Sequence, residues 1–222
     1  MLDKIAAIYF DLDNTLIDRN AAHLACVEQF FDSHLPHLFF GNERFELEQN
    51  DNSGYTDRKE FCEWFIQHYQ PQGWDESSFW NYMQTNIGSY VPLISDDLKI
   101  KLLQLKKRYK TGIITNGSTG NQCRKIRQAS LQAIFPTETI YISQQHSVSK
   151  PDRAFFQIVL DDLQLPPSKL LYVGDDPMND ILGASQLGIQ TCWLSHNRVW
   201  SQAKMPSSII EDISMILDVV ST

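Results

Sequence analysis

With 222 residues, 42% hydrophobic and 21% charged, the chain has the length and composition of one medium folded domain carrying an insertion, which excludes extended disorder. No run approaches the ~18 consecutive apolar residues that a membrane span needs. The net charge of -8 lies wholly in residues 16–94, which hold 12 Asp or Glu against 4 Lys or Arg while the rest holds 15 against 15, and a surface of that sign disfavours nucleic acid and anionic membranes as partners.

The start, Met1 to Lys4, runs directly into a strand instead of a signal peptide, which gives the expectation of a cytoplasmic protein. Ile5 to Phe10 is an unbroken apolar run, suited to a strand buried on both faces of a parallel sheet. Helical periodicity then dominates, over Ala21 to Phe31, Arg58 to Tyr69 and Asp75 to Gly88. Of 25 aromatic residues, 15 fall between Ile17 and Leu93, and most are expected to pack that segment's own core. His34 and His37 are separated by Pro36, which breaks the helix a metal-binding pair would need.

After a helix around Leu98, Leu102 and Leu105, short apolar strands recur at 111–115, 139–142, 170–173 and 189–193, with a helix over 155–163 stopped by Pro166-Pro167. The residues Ile209, Ile210, Ile213, Ile216, Leu217 and Val220 predict a closing helix over 208–220. Alternating strands and helices specify an α/β fold, a Rossmann-like doubly wound parallel sheet. The core comprises 1–15 and 95–222, and a helical cap occupies 16–94. The four cysteines, Cys26, Cys62, Cys123 and Cys192, lack metal-ligand spacing and read as reduced thiols.

Open α/β sheets bind ligands beyond the carboxyl ends of their strands. Asp11 and Asp13 follow the first strand, and strand alternation would lean both carboxylates the same way, one as nucleophile or metal ligand and the other as proton shuttle. Thr115-Asn116-Gly117-Ser118 follows the second strand with side chains and backbone N–H groups that can hold an anion. Lys150 stands before Pro151, a proline suited to the first turn of a helix, and Gly174-Asp175-Asp176-Pro177-Met178-Asn179-Asp180 closes the fourth strand. Asp11, Asp13, Asp175, Asp176 and Asp180 together crowd negative charge that only a cation can relieve. Oxygen ligands without His or Cys favour Mg²⁺ over zinc, and the implied substrate group is a phosphate. His146 and His196 fall in loops near the sheet edge, where either could touch substrate.

In this order, Asp11-Leu12-Asp13-Asn14-Thr15, Thr115-Asn116, Lys150 and Gly174-Asp175 through Asp180 resemble the haloacid dehalogenase superfamily of phosphatases. That resemblance implies an aspartyl-phosphate on Asp11, with Asp13 protonating the leaving oxygen and then deprotonating water. It implies that Thr115, Asn116 and Lys150 hold the phosphoryl oxygens. Mg²⁺ would rest on the Asp11 carboxylate, the Asp13 main-chain carbonyl and Asp175, with Asp180 and Asp176 ordering its waters. An acid at position 13 argues against dehalogenase chemistry, and Lys59, the one lysine of the cap, is what the phosphonate-cleaving branch would use. In place of the glycine that many relatives carry shortly before the lysine stands His146-Ser147-Val148-Ser149.

The implied substrate is a small phosphate monoester. The family resemblance is strongest toward enzymes of flavin mononucleotide or nucleoside monophosphates, with sugar phosphates or phosphoglycolate as the alternative. A non-catalytic phosphate-binding regulator is the alternative of another class. The sequence leaves monomer and dimer open.

Overall fold

A computed structural model describes residues 5–220, so the reading of Met1 to Lys4 lies outside it. The chain divides into two compact units, one of Asp18–Pro92 and one of the remainder.

The second of these is built on a six-stranded parallel sheet of β1 (Ala7–Phe10), β2 (Lys110–Thr115), β3 (Ile140–Ile142), β4 (Leu170–Gly174), β5 (Gln190–Leu194) and β6 (Ser208–Ile210), in the order β3-β2-β1-β4-β5-β6. β1 lies between β2 and β4, with Ala7 opposite Lys110 on one side and Leu170 on the other. All four β1 residues are buried, as an apolar run with no polar alternation requires when helices cover both faces. The chain reverses its direction of travel across the sheet at β1 and β4, so their carboxyl ends border the crevice where α/β folds place ligands.

Ala7 and Tyr9 share one face with Leu170 and Tyr172, and there they meet Phe155, Phe156, Val159 and Leu160. Those four residues recur at helical spacing on one side of Arg153–Leu163, whose N-cap Asp152 accepts from the Ala154 N–H at 2.8 Å. Phe156 meets the Tyr172 ring edge-on at 5.1 Å between centroids. Pro151 precedes this helix by two residues instead of entering its first turn, because Asp152 takes the cap.

The closing segment departs from expectation. Ser208–Ile210 pairs with β5, and only Ile216–Val220 is α-helical after a short 3-10 turn. Ser195 N–H donates to Ile210 O at 2.8 Å, and Ile210 is buried while Ile209 is half exposed. Two neighbouring isoleucines facing opposite ways are a strand signature that the longer helical spacing concealed.

The Asp18–Pro92 unit holds four helices: α1 (Arg19–His34), α2 (Phe40–Asp51), α3 (Arg58–Tyr69) and α4 (Glu76–Asn86). Asp18, Asp57 and Asp75 cap α1, α3 and α4 from their side chains, and Asp75 forms a reciprocal capping box with Ser78. α2 escaped the sequence reading because it lacks an apolar stripe: of its 12 residues only Leu47 and Asp51 are buried. The aromatic residues pack on one another. Phe30 meets Phe65, Trp74, Phe79 and Tyr82 edge-on, and Phe65 stacks on Phe79 at 3.9 Å. Lys59 pairs with Glu63 one turn on, largely exposed. Among the described residues no helix is long and apolar enough to cross a membrane.

Candidate active site

The regular strand ends at Phe10, and the ladder gives one more bond, Asp11 N–H to Val173 O at 2.8 Å. The chain then turns over the buried Leu12, whose carbonyl accepts from the N–H groups of Thr15, Leu16 and Ile17. Asn14 takes a left-handed conformation (φ 56°), which asparagine tolerates better than most residues. The alternation that would aim Asp11 and Asp13 alike therefore stops short of them. Their carboxylates go to different lysines.

Asp11 is met by Lys150. The Lys150 Nζ lies 2.5 Å from Asp11 Oδ1, 2.7 Å from Asp180 Oδ1 and 2.9 Å from the Tyr172 hydroxyl. Tyr172 in turn donates to Ile114 O at 2.8 Å, tying the ammonium to β2 and β4 at once. Asn116 fixes the lysine's main chain: its Oδ1 accepts from Lys150 N–H and its Nδ2 donates to Lys150 O, each at 2.9 Å. The Asn116 amide is thus engaged at both ends in positioning Lys150.

Asp175 follows β4 directly. Its carboxylate lies 3.4 Å from an Arg198 nitrogen and its carbonyl accepts from Arg198 at 2.8 Å and from the Trp193 indole at 2.9 Å. Asp180 reaches back from a π-helical stretch, Pro177–Leu182, and its Oδ2 accepts from Asp176 N–H at 3.0 Å. Asp176 caps that stretch, accepting from the N–H groups of Met178 and Asn179, so its carboxylate serves the local turn. Gly174 permits the arrangement: a Cβ there would stand 2.3 Å from Asp180 Oδ2.

Asp11, Asp175 and Asp180 are all buried, and each offers an oxygen within 4.8 Å of the other two. Burial, with Asp180, Asp175 and Asp13 adding to it, pushes the Asp11 carboxyl well above the ordinary carboxylate range, while Lys150 opposes the shift. Asp180 is raised by the same desolvation against the pull of Lys150. For Lys150 burial acts downward, but Asp11 and Asp180 outweigh it and hold the ammonium charged. Three buried carboxylates against the buried Lys150 ammonium and the partly exposed Arg198 guanidinium beside Asp175 still leave negative charge in excess. A hard divalent cation fits that deficit and that all-oxygen donor set.

Asp13 and Thr115 belong to a second set of contacts. Asp13 pairs with Lys125 at 2.6 Å, and Gln122 Nε2 donates to Asp13 Oδ2 at 2.9 Å and to Thr115 Oγ1 at 2.6 Å. Of the two loop histidines, His196 contacts Asn14 O at 2.7 Å, beneath the Asp11 loop, while His146 stacks on Tyr141. Sequence reasoning missed Tyr172, Gln122, Lys125 and Arg198. The first three lie inside elements it had outlined, or just after the Asn116-Gly117 turn, but only strand register reveals what they face.

Residues 8–194 match the family model described as haloacid dehalogenase-like hydrolase. Among characterised relatives, glyceraldehyde 3-phosphate phosphatase of Pyrococcus furiosus is 29% identical over 202 residues, 88% of this chain and 82% of that one. Pyrimidine 5'-nucleotidase YjjG of Escherichia coli is 33% identical over 106 residues, 47% of this chain and 46% of its own. In fold, the HAD-hydrolase YfnB of Bacillus subtilis, solved bound to magnesium, superposes with a TM-score of 0.79 at 18% identity, covering 99% of this chain and all of that one.

Proposed function

The chain belongs to the haloacid dehalogenase-like hydrolase family and is a phosphoric monoester hydrolase; on that premise we propose that it hydrolyses a small-molecule phosphate monoester through a phosphoenzyme on Asp11. One observation carries the reading. The Asp11 carboxylate stands at the β1–β4 crevice with one oxygen on Lys150 and with Asp175 and Asp180 close by.

In the first half-reaction an Asp11 oxygen attacks phosphorus, the bond to the ester oxygen breaks, and Asp13 gives that oxygen its proton. In the second, water attacks phosphorus, Asp13 takes the water's proton, and the Asp11–phosphorus bond breaks to release inorganic phosphate. Lys150 keeps Asp11 aligned and supplies positive charge to the phosphoryl oxygens, and the Thr115 hydroxyl lies at the end of β2 to bond them. Asp11, Asp175 and Asp180, with the Asp13 carbonyl, would hold Mg²⁺, which when bound neutralises charge on the transferring phosphoryl group.

The relatives named for glyceraldehyde 3-phosphate and for pyrimidine nucleotides support a small phosphorylated metabolite, a triose or sugar phosphate or a nucleoside monophosphate. The flavin mononucleotide reading rests on the family resemblance alone.

Phosphate release from p-nitrophenyl phosphate and from a panel of sugar phosphates, nucleotides and flavin mononucleotide tests this. Activity is expected only with Mg²⁺, to vanish on chelation and return on metal addition. Asp11→Asn should reduce it by roughly 10⁴-fold or more, the scale of removing a covalent nucleophile. Equal turnover by Asp11→Asn would overturn the mechanism, and no turnover of any ester by the wild-type protein would favour the phosphate-binding regulator.

A further inference from the structure

Two buried side chains of the core unit touch the reaction centre without a part in the steps above. Gln122 and Lys125 stand one turn apart on the helix Thr119–Gln128, 1% and 5% exposed. Lys125 Nζ lies 2.6 Å from Asp13 Oδ1 and 2.8 Å from Oδ2, so it spans both carboxylate oxygens. Gln122 Nε2 sits between Asp13 Oδ2 and Thr115 Oγ1. We propose that Lys125 and Gln122 are positioning residues for proton transfer, fixing the orientation of the Asp13 carboxylate and linking it through Gln122 to the Thr115 hydroxyl. The proposal rests on the reading of Asp13 as the group that moves the proton.

Three observations support it. Asp13 lies beyond the end of β1, in a turn where the N–H groups of Thr15, Leu16 and Ile17 converge on the Leu12 carbonyl, so regular strand geometry does not orient its side chain. A lysine buried this deeply is a poor device for stability, because an apolar residue of similar size fills such a space at lower desolvation cost. The turn before the helix is also shaped for the purpose. Gly117 has φ 140°, and a Cβ there would stand 3.1 Å from the Gln122 side chain, so glycine lets Gln122 fold back toward β2. A proton donor must come within hydrogen-bond reach of the leaving oxygen, and a displacement of about 1 Å costs on the order of 10²-fold.

The test uses leaving groups of different basicity. kcat/KM covers the steps through departure of the leaving group, and an alkoxide needs a proton there while p-nitrophenolate does not. Lys125→Met should lower kcat/KM for an alkyl phosphate by roughly tenfold or more and for p-nitrophenyl phosphate by less than roughly threefold. The inhibition constant of inorganic phosphate should stay unchanged, and Lys125→Arg should recover most of the loss. In an Asp13→Asn background Lys125→Met should cost nothing further. Thermal unfolding checks that each variant folds, and if Lys125→Met does not, Lys125→Gln and Gln122→Leu carry the same cycle. Equal losses on both esters, or losses additive with Asp13→Asn, overturn the proposal. Should Asp13→Asn itself retain full kcat/KM on the alkyl ester, it is the reading of Asp13 that fails; should it lose activity while Lys125→Met does not, the reading of Asp13 stands and only the positioning role falls.

Discussion

Gly174 carries as much of the site as the acids beside it. Alanine there would bring a methyl group to 2.3 Å from Asp180 Oδ2 and 2.4 Å from its Cγ, so Asp180 would have to leave both Lys150 and the Asp176 N–H. Gly174→Ala should therefore weaken apparent Mg²⁺ affinity by roughly tenfold or more and cost about 1–3 kcal/mol of stability for the unpaired buried groups, read by metal titration of activity and by urea unfolding. Tyr172→Phe is the milder probe. It removes a hydroxyl that joins Lys150 to Ile114 O, and it should lower kcat several-fold at a stability cost of ~1 kcal/mol while metal affinity holds. Such residues mark the boundary of what was legible. Asp11, Lys150, Asp175 and Asp180 each sit after a strand, where chemistry is sought on general grounds. Tyr172 and Lys125 look like ordinary strand and helix residues until the parallel register brings β2, β1 and β4 side by side. Asn116 stood in the right loop, but nothing local said that its amide would close on the main chain of a residue 34 positions away.

Among elements, the strands that run through the middle of the sheet were legible because burial on both faces demands apolar runs, and β1, β2, β4 and β5 obey that demand. β6 is short and at the edge, where three residues cannot establish a period against the helical spacing around them. α2 failed for the opposite reason, being a helix with almost nothing to bury. The helix Arg153–Leu163 shows what a legible amphipathic element contributes: Phe155, Phe156, Val159 and Leu160 are its buried face, while Ile158 is only partly buried. Phe156→Ala should destabilise the core unit by ~3–5 kcal/mol, against a distinctly smaller loss for Ile158→Ala, measured by chemical denaturation with unchanged slope. Similar losses at the two positions would mean that this helix does not bury the face described.

On the scale of the whole chain, the excess negative charge predicted for residues 16–94 belongs to a unit whose interior also holds charge. Arg19 and Asp51 form a buried pair there, with a second Arg19–Asp51 bond of 2.8 Å, and His23 lies 3.5 Å from Asp51 with Arg58 at 3.7 Å. Burial first, then the Arg19 guanidinium, push the His23 imidazole down to about 3, so it is neutral in the folded state. Burial alone would raise Asp51, but His23, Arg19 and Arg58 together outweigh it and hold the carboxyl below its ordinary range. For His23 the folded value lies below the unfolded value of ~6.5, so the unfolded chain binds the extra proton, and stability falls as pH drops from about 6.5 toward 3 by up to ~1.4 kcal/mol per pH unit. The Asp51 contribution is present above its unfolded value of ~3.9 and is lost only as pH falls toward its depressed folded value, so above about pH 4 the dependence belongs to His23 and not to Asp51. Urea unfolding of the Asp18–Pro92 unit within the intact chain, followed by its own tryptophans Trp64, Trp74 and Trp80 against the signal of Trp193 and Trp200, should show stability falling steadily between pH 6.5 and 4.5. In His23→Gln the slope over that range should flatten by the equivalent of one proton, whatever the change in stability at pH 8. A slope unaltered by the substitution would show that His23 is not the group held neutral by burial.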